Sequence, residues 1–278
     1  MEKAKVSSHQ VITWIAIFAL LVLRLLEGWI LYKDPLGSVW VEPLYETGTY
    51  VLIAFLIGWE WKNLREYHLT PLSILILILF PALSKLSQLS FDPNNMLAFP
   101  KLLSFPFFVI AGILIYLVIR KKMDFKVGLG KDLIWFAIGA LMGLFIAAFE
   151  GVIMIKFLGY PQKAFPGYLS LISSIYQLGF AACPEESLFR GFLWGALRKL
   201  RIKEIWILFI QALLFALGHI FYLSSENGLL SVGLVFAGAL IMGLLVWRSR
   251  SLSSSMAYHA FFNGSSFFQY WVYWLVFK

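Results

Sequence analysis

The sequence predicts an all-α, polytopic integral membrane protein of about eight to nine transmembrane helices, with its polar groups gathered inside the bundle. Three observations carry this. Of 278 residues, 60% are apolar and 14% charged, against about 45–50% and about 25% in ordinary soluble domains. A mean hydropathy of +0.81 leaves too few polar residues to cover a soluble globule. Apolar stretches of the roughly 20 residues needed to cross a bilayer recur along the whole chain.

Taken in order, stretches bounded by charge, proline or polar clusters fall at 11–31, 44–59, 71–89, 102–119, 133–155, 168–197, 205–223, 229–247 and 254–276. The first follows Lys3 and Lys5 and could mimic a signal peptide. It continues through Arg24 and Glu27 without a small-x-small cleavage site, which predicts a retained span. The second is short and the third fades after Pro81, so eight spans plus a re-entrant segment is the variant reading. The ninth closes on Tyr270, Trp271, Tyr273 and Trp274, an aromatic run suited to a membrane interface. No repeat or linker separates a soluble domain. Two regions are expected, 1–130 without a recognisable motif and 131–278 with the chemistry-bearing residues.

The formal net charge of +8 fits basic loops on the cytoplasmic side better than nucleic-acid binding. Counted by alternate loops, Lys and Arg number 15 on the N-terminal side and 6 on the other. That asymmetry predicts a cytoplasmic N-terminus, and the short loops suggest a prokaryotic plasma membrane. The single cysteine, Cys183, excludes an internal disulfide framework.

A charge in hydrocarbon costs at least about 2.5–3.5 kcal/mol, so ionisable residues inside spans are the informative ones. Arg24 and Glu27 lie three apart on span one and read as a structural pair, with Glu150 alone on span five. Three later spans each carry catalytically capable groups. Span six holds Glu185, Glu186 and Arg190; span seven holds Phe215 and His219; span nine holds His259 and Asn263. Glu186 and Arg190 are four apart and stack as an ion pair. Glu185 points about 100° away and is left without that partner, free to act as a general base. His259 and Asn263 project side by side, as two donors to a developing oxyanion would. Phe215 can pack beside His219 and fix its rotamer. At about 1.5 Å of rise per residue, Glu185, His219 and His259 lie roughly 20, 21 and 14 Å from the cytoplasmic boundary, compatible with one shared active site inside the bundle.

At these residues the sequence resembles the CPBP family (CAAX protease and bacteriocin-processing, also called Abi) of intramembrane endopeptidases, relatives of the type II CAAX prenyl endopeptidase. The family's Glu-Glu-x-x-x-Arg, Phe-x-x-x-His and His-x-x-x-Asn patterns stand here in order as Glu185-Glu186 with Arg190, Phe215 with His219, and His259 with Asn263. The resemblance covers roughly 131–278 and implies that Glu185 and His219 activate a water for attack on a peptide carbonyl. It makes His259 and Asn263 the oxyanion donors, and Glu186 and Arg190 a supporting pair. No cofactor is then expected.

Other chemistries compete. Glu185, His219 and His259 would make a zinc set of three ligands plus water, although no His-Glu-x-x-His helix is present. Cys183 with a histidine would make a cysteine protease, but a small buried apolar role suffices for it. A transporter, or a non-proteolytic scaffold binding a partner enzyme, could use the same polar cluster, with Arg24, Glu27 and Glu150 favouring transport. For a peptidase the sequence reads cleavage near the cytoplasmic side, of a peptide or lipidated-protein substrate, with membrane lipid as surroundings and no nucleic acid. Nothing in the sequence selects an oligomeric state.

Overall fold

The computed structural model describes residues 7–34, 41–91, 101–124, 128–158 and 168–265. They fold as helices throughout, with no strand among the described residues. In chain order these are α1 (Ser8–Lys33), α2 (Val41–Trp59), α3 (Pro71–Phe91), α4 (Lys101–Arg120), α5 (Leu129–Leu158), α6 (Tyr168–Gln177), α7 (Cys183–Glu186), α8 (Trp194–Lys199), α9 (Glu204–Leu217), α10 (Gly228–Ser249) and α11 (Leu252–Gly264). The aromatic run at 270–274 lies outside the described residues.

The span count differs from the expectation. Among the described residues four helices are long and apolar enough to cross a membrane, Ser8–Lys33, Leu103–Arg120, Leu129–Ile153 and Gly228–Ser249. A fifth crossing exists if Trp61–Tyr67 and Pro71–Leu86, bent by 99°, count as one. The missing spans have physical causes. The first half of α2 carries Glu42, Glu46, Thr47 and Thr49. With 14 residues, α9 reaches only about 21 Å of a roughly 30 Å core. The sixth stretch is lined with charge and exposes large apolar side chains only in its first turns, at Tyr168, Leu171, Ile172 and Ile175, while every residue from Ala182 to Ala196 is buried.

That sixth stretch forms the axis of the bundle. π-helical turns at Leu178–Ala182 and Ser187–Leu193 flank α7. Wide turns of this kind leave backbone carbonyls off the regular ladder and recur at functional sites. Around this axis, α5 packs on α11, α9 on α10, and α6 on α11. The α5–α11 contact is made backbone to backbone. A Cβ at Gly139 would fall on the Ser254 carbonyl oxygen, and one at Gly143 on that of Tyr258. Gly-x-x-x-Gly spacing permits such approach where lipid supplies no hydrophobic drive between helices. The outward face of α5 is the reverse, with Leu141 66% and Phe145 70% exposed.

The two ends of the bundle differ. At the N-terminal end His9 meets Glu60 at 3.1 Å, Arg198 meets Glu204 at 2.7 Å and His68 at 2.8 Å, and Lys199 meets Tyr67 at 2.7 Å. The opposite end, where α1 finishes and α2 begins, contains the cavity described next.

Candidate active site

Each group of the site is placed by its own helix. Glu185 and Glu186 leave α7 on different sides, 7% and 0% exposed. Glu186 faces packed protein: Arg190 Nη1 donates to its Oε1 at 2.9 Å, and His259 Nδ1 donates to the same oxygen at 2.9 Å. Arg190 is fully buried, donates from Nη2 to the Ala239 carbonyl at 3.1 Å, and lies 4.3 Å over the Phe215 ring. The pair expected from four-residue spacing is therefore formed, and it also grips the imidazole of α11.

Glu185 faces a cavity of about 590 Å³, lined among others by Arg24, Glu27, Tyr45, Glu150, Tyr222 and Asn263. Its Oε2 has no hydrogen-bond partner and lies 3.8 Å from His219 Nε2 and 3.8 Å from His259 Nε2. Those separations exceed a direct hydrogen bond and suit a bridging water. Its Oε1 is 2.9 Å from Arg24 Nη2, so Glu185 does have a dedicated cation. This corrects the expectation of an unpaired carboxylate, which four-residue spacing within one helix could not foresee.

Arg24 links three groups. Besides Glu185 it pairs with Glu27, as expected, and donates from Nη2 to His219 Nε2 at 2.8 Å. His219 Nδ1 donates in turn to the Phe215 carbonyl at 2.8 Å, so the ring is the Nδ1-protonated tautomer with its Nε2 lone pair on Arg24. Phe215 is the platform of the site. Its ring stands 4.6 Å from that of His219 and 5.9 Å, edge-on, from that of His259. Close approach of α1 makes the arginine's reach possible: a Cβ at Gly28 would fall on the Gly218 carbonyl oxygen, one residue before His219.

Asn263 lines the cavity beside His259, and its amide donates to Gln177 Oε1 at 3.5 Å. A second cavity of about 250 Å³ shares Glu150, His219, Tyr222, His259, Phe262 and Asn263 with the first. Cys183, the first residue of α7, is buried and lines neither. Among the described residues no group of three His, Cys, Asp or Glu has an arrangement that could hold a metal ion.

The cavity extends to Leu31 and Glu42, at the end of the bundle away from the start of α1. The N-terminal end is filled by Tyr67, Phe192, Trp194 and Leu252, all 0% exposed.

Fold and site define a class: an all-helical, multi-pass membrane protein with carboxylates and imidazoles converging inside the bundle. The family model described as type II CAAX prenyl endopeptidase Rce1-like matches residues 167–265. The match agrees with the resemblance carried by the three motifs, and at family level it supports a peptidase. It contains Glu185, His219, His259 and Asn263 but not Arg24. Comparisons with curated proteins and with solved structures gave no match.

Proposed function

We propose that the chain is an intramembrane endopeptidase in which Glu185 activates a water for attack on a peptide carbonyl. The observation that supports this most is the unpartnered Glu185 Oε2 facing the Nε2 atoms of both His219 and His259 at 3.8 Å across a cavity. A water there would lie within reach of Glu185 Oε2 and His259 Nε2, beside the His219 ring. Glu185 accepts its proton as the oxygen bonds to the carbonyl carbon, then returns that proton to the departing amine as the C–N bond breaks. Arg24 orients Glu185 through Oε1, leaving Oε2 for the proton. His219, held by Phe215 and Arg24, flanks the water. His259, with Nδ1 on Glu186, presents Nε2 to the cavity and as imidazolium donates to the oxyanion beside the Asn263 amide. Glu186, Arg190 and Phe215 position these groups.

Side chains rather than zinc carry the chemistry in this reading. Two of the three candidate ligands, Glu185 and His219, already contact the Arg24 guanidinium, a cation that would repel a metal ion. The substrate is a peptide or a lipidated, membrane-associated protein. With the N-terminus cytoplasmic, the cavity extends toward the outer leaflet.

Purified protein in detergent, given fluorogenic peptides, tests the assignment. Glu185→Gln is expected to lose about 10²–10⁴-fold in kcat, the span of general-base contributions, and activity is expected to survive exhaustive chelation. Full activity of Glu185→Gln would refute the base; loss on chelation with recovery on added zinc would move the mechanism to a metal.

A further inference from the structure

Charge is distributed unevenly around the cavity. Among the described residues five carboxylates line it, Glu27, Glu42, Glu46, Glu150 and Glu185, and Arg24 is the one lysine or arginine. Lys85 reaches Glu46 from behind, through Oε2. Counting that lysine, five potential negative charges face two cations.

Two further details point to a ligand. Glu46 is 5% exposed, yet its Oε1 has no hydrogen-bond partner, and the Tyr45 hydroxyl, in a residue 7% exposed, has none either. Both residues line the cavity. Buried acceptors without a donor are costly and call for a partner that brings one. Glu150, which also lines the cavity, has no ion pair among the described residues. It sits where the main cavity meets the second, whose walls include Leu234, Val235, Met242 and Phe262. A group with an apolar stem and a cationic head fits that junction, the stem along the aliphatic wall and the head at the carboxylate.

We propose that this cavity is a specificity site for peptide substrates bearing a lysine or arginine close to the scissile bond, with Glu150 as its principal carboxylate. The proposal rests on the endopeptidase reading for the word substrate, but the binding it asserts is independent of cleavage. The cationic side chain replaces missing donors, and in a water-poor site its attraction to carboxylates exceeds that in bulk solvent. An acidic residue at the same position is rejected by like charge.

The experiment uses the full chain in lipid nanodiscs and a peptide series identical except for lysine, norleucine or glutamate at each position flanking the cleaved bond. Binding is measured to Glu185→Gln, which removes turnover, and kcat/KM is measured on the parent. The lysyl peptide is expected to bind about 10–100-fold more tightly than the norleucyl one, the worth of one charge-assisted hydrogen bond, with the glutamyl peptide weakest. Adding Glu150→Gln is expected to collapse the lysine-to-norleucine ratio several-fold; persistence of the full ratio would overturn the role of Glu150. Equal binding of lysyl and norleucyl peptides overturns the proposal. Saturable binding of Ca²⁺ or Mg²⁺ that Glu150→Gln abolishes, with no preference among peptides, overturns it too. If no peptide is cleaved but the lysine preference in binding holds, the endopeptidase reading fails and the cationic site stands.

Discussion

Glu185 and Glu186 are neighbours in sequence and meet opposite surroundings. Glu186 has no exposed surface, accepts from Arg190 and His259, and faces helices packed without a cavity. Glu185 borders about 590 Å³ of space and is held by an arginine from a helix 161 positions earlier in the chain. Each carboxylate keeps its Oε2 without a hydrogen-bond partner, but that of Glu185 lies 3.8 Å from the Nε2 atoms of His219 and His259. A carboxylate locked by two donors on one oxygen stabilises a bundle. One steered by a single cation at the edge of a cavity, with its second oxygen beside two imidazoles, is able to take a proton. A single residue step around a helix thus separates scaffold from chemistry.

The comparison can be broken by melting and assaying four proteins in detergent: the parent, Glu185→Gln, Glu186→Ala, and Glu186→Ala with Arg190→Leu. The largest stability effect is expected for Glu186→Ala, about 3–5 kcal/mol, because Arg190 is stranded as a buried charge. The double variant should recover part of that loss. Glu185→Gln should melt close to the parent, since Arg24 retains Glu27. If Glu185→Gln collapses and Glu186→Ala melts with the parent, the two roles are reversed.

Smaller effects sharpen the same contrast. Gly28→Ala places a methyl group on the Gly218 carbonyl, and overpacking of this kind costs about 1–3 kcal/mol. By shifting α1 it should carry Arg24 away from Glu185 and lower kcat/KM about tenfold or more, since misplacement by an ångström is that costly. Unchanged turnover in a folded Gly28→Ala would show that Arg24 does not orient the base. Cys183→Ser should be the mildest, within about 1 kcal/mol, because a helical serine hydroxyl can bond to the carbonyl four residues back. Strong loss of cleavage in that variant would revive the cysteine as a participant.

Local pairs were legible in the sequence because helical spacing alone specifies them. Glu186 with Arg190, Phe215 beside His219, and Arg24 with Glu27 lie three or four residues apart. Contacts that depend on tertiary placement were not. No periodicity relates Arg24 to Glu185 and His219, and only the cost of a charge inside a span marked that arginine as needing a purpose. Helix count was overestimated for a related reason. An apolar run announces burial without saying whether lipid or protein does the burying, and the run around α7 is covered by other helices. Gly28 gave no signal, because the carbonyl it admits belongs to a residue 190 positions away.

The glycine contact between α5 and α11 has a consequence for how this protein tolerates change. Along α5 Gly139 and Gly143 occupy positions where nothing larger fits, and the bulky Leu141 and Phe145 face outward. In a soluble helix substitutions are least tolerated where side chains are large and buried. A saturation scan of α5 should show that order inverted: a four-residue rhythm in which alanine already harms at 139 and 143, while at 141 and 145 any apolar residue is accepted, since lipid adapts its packing to whatever shape is presented.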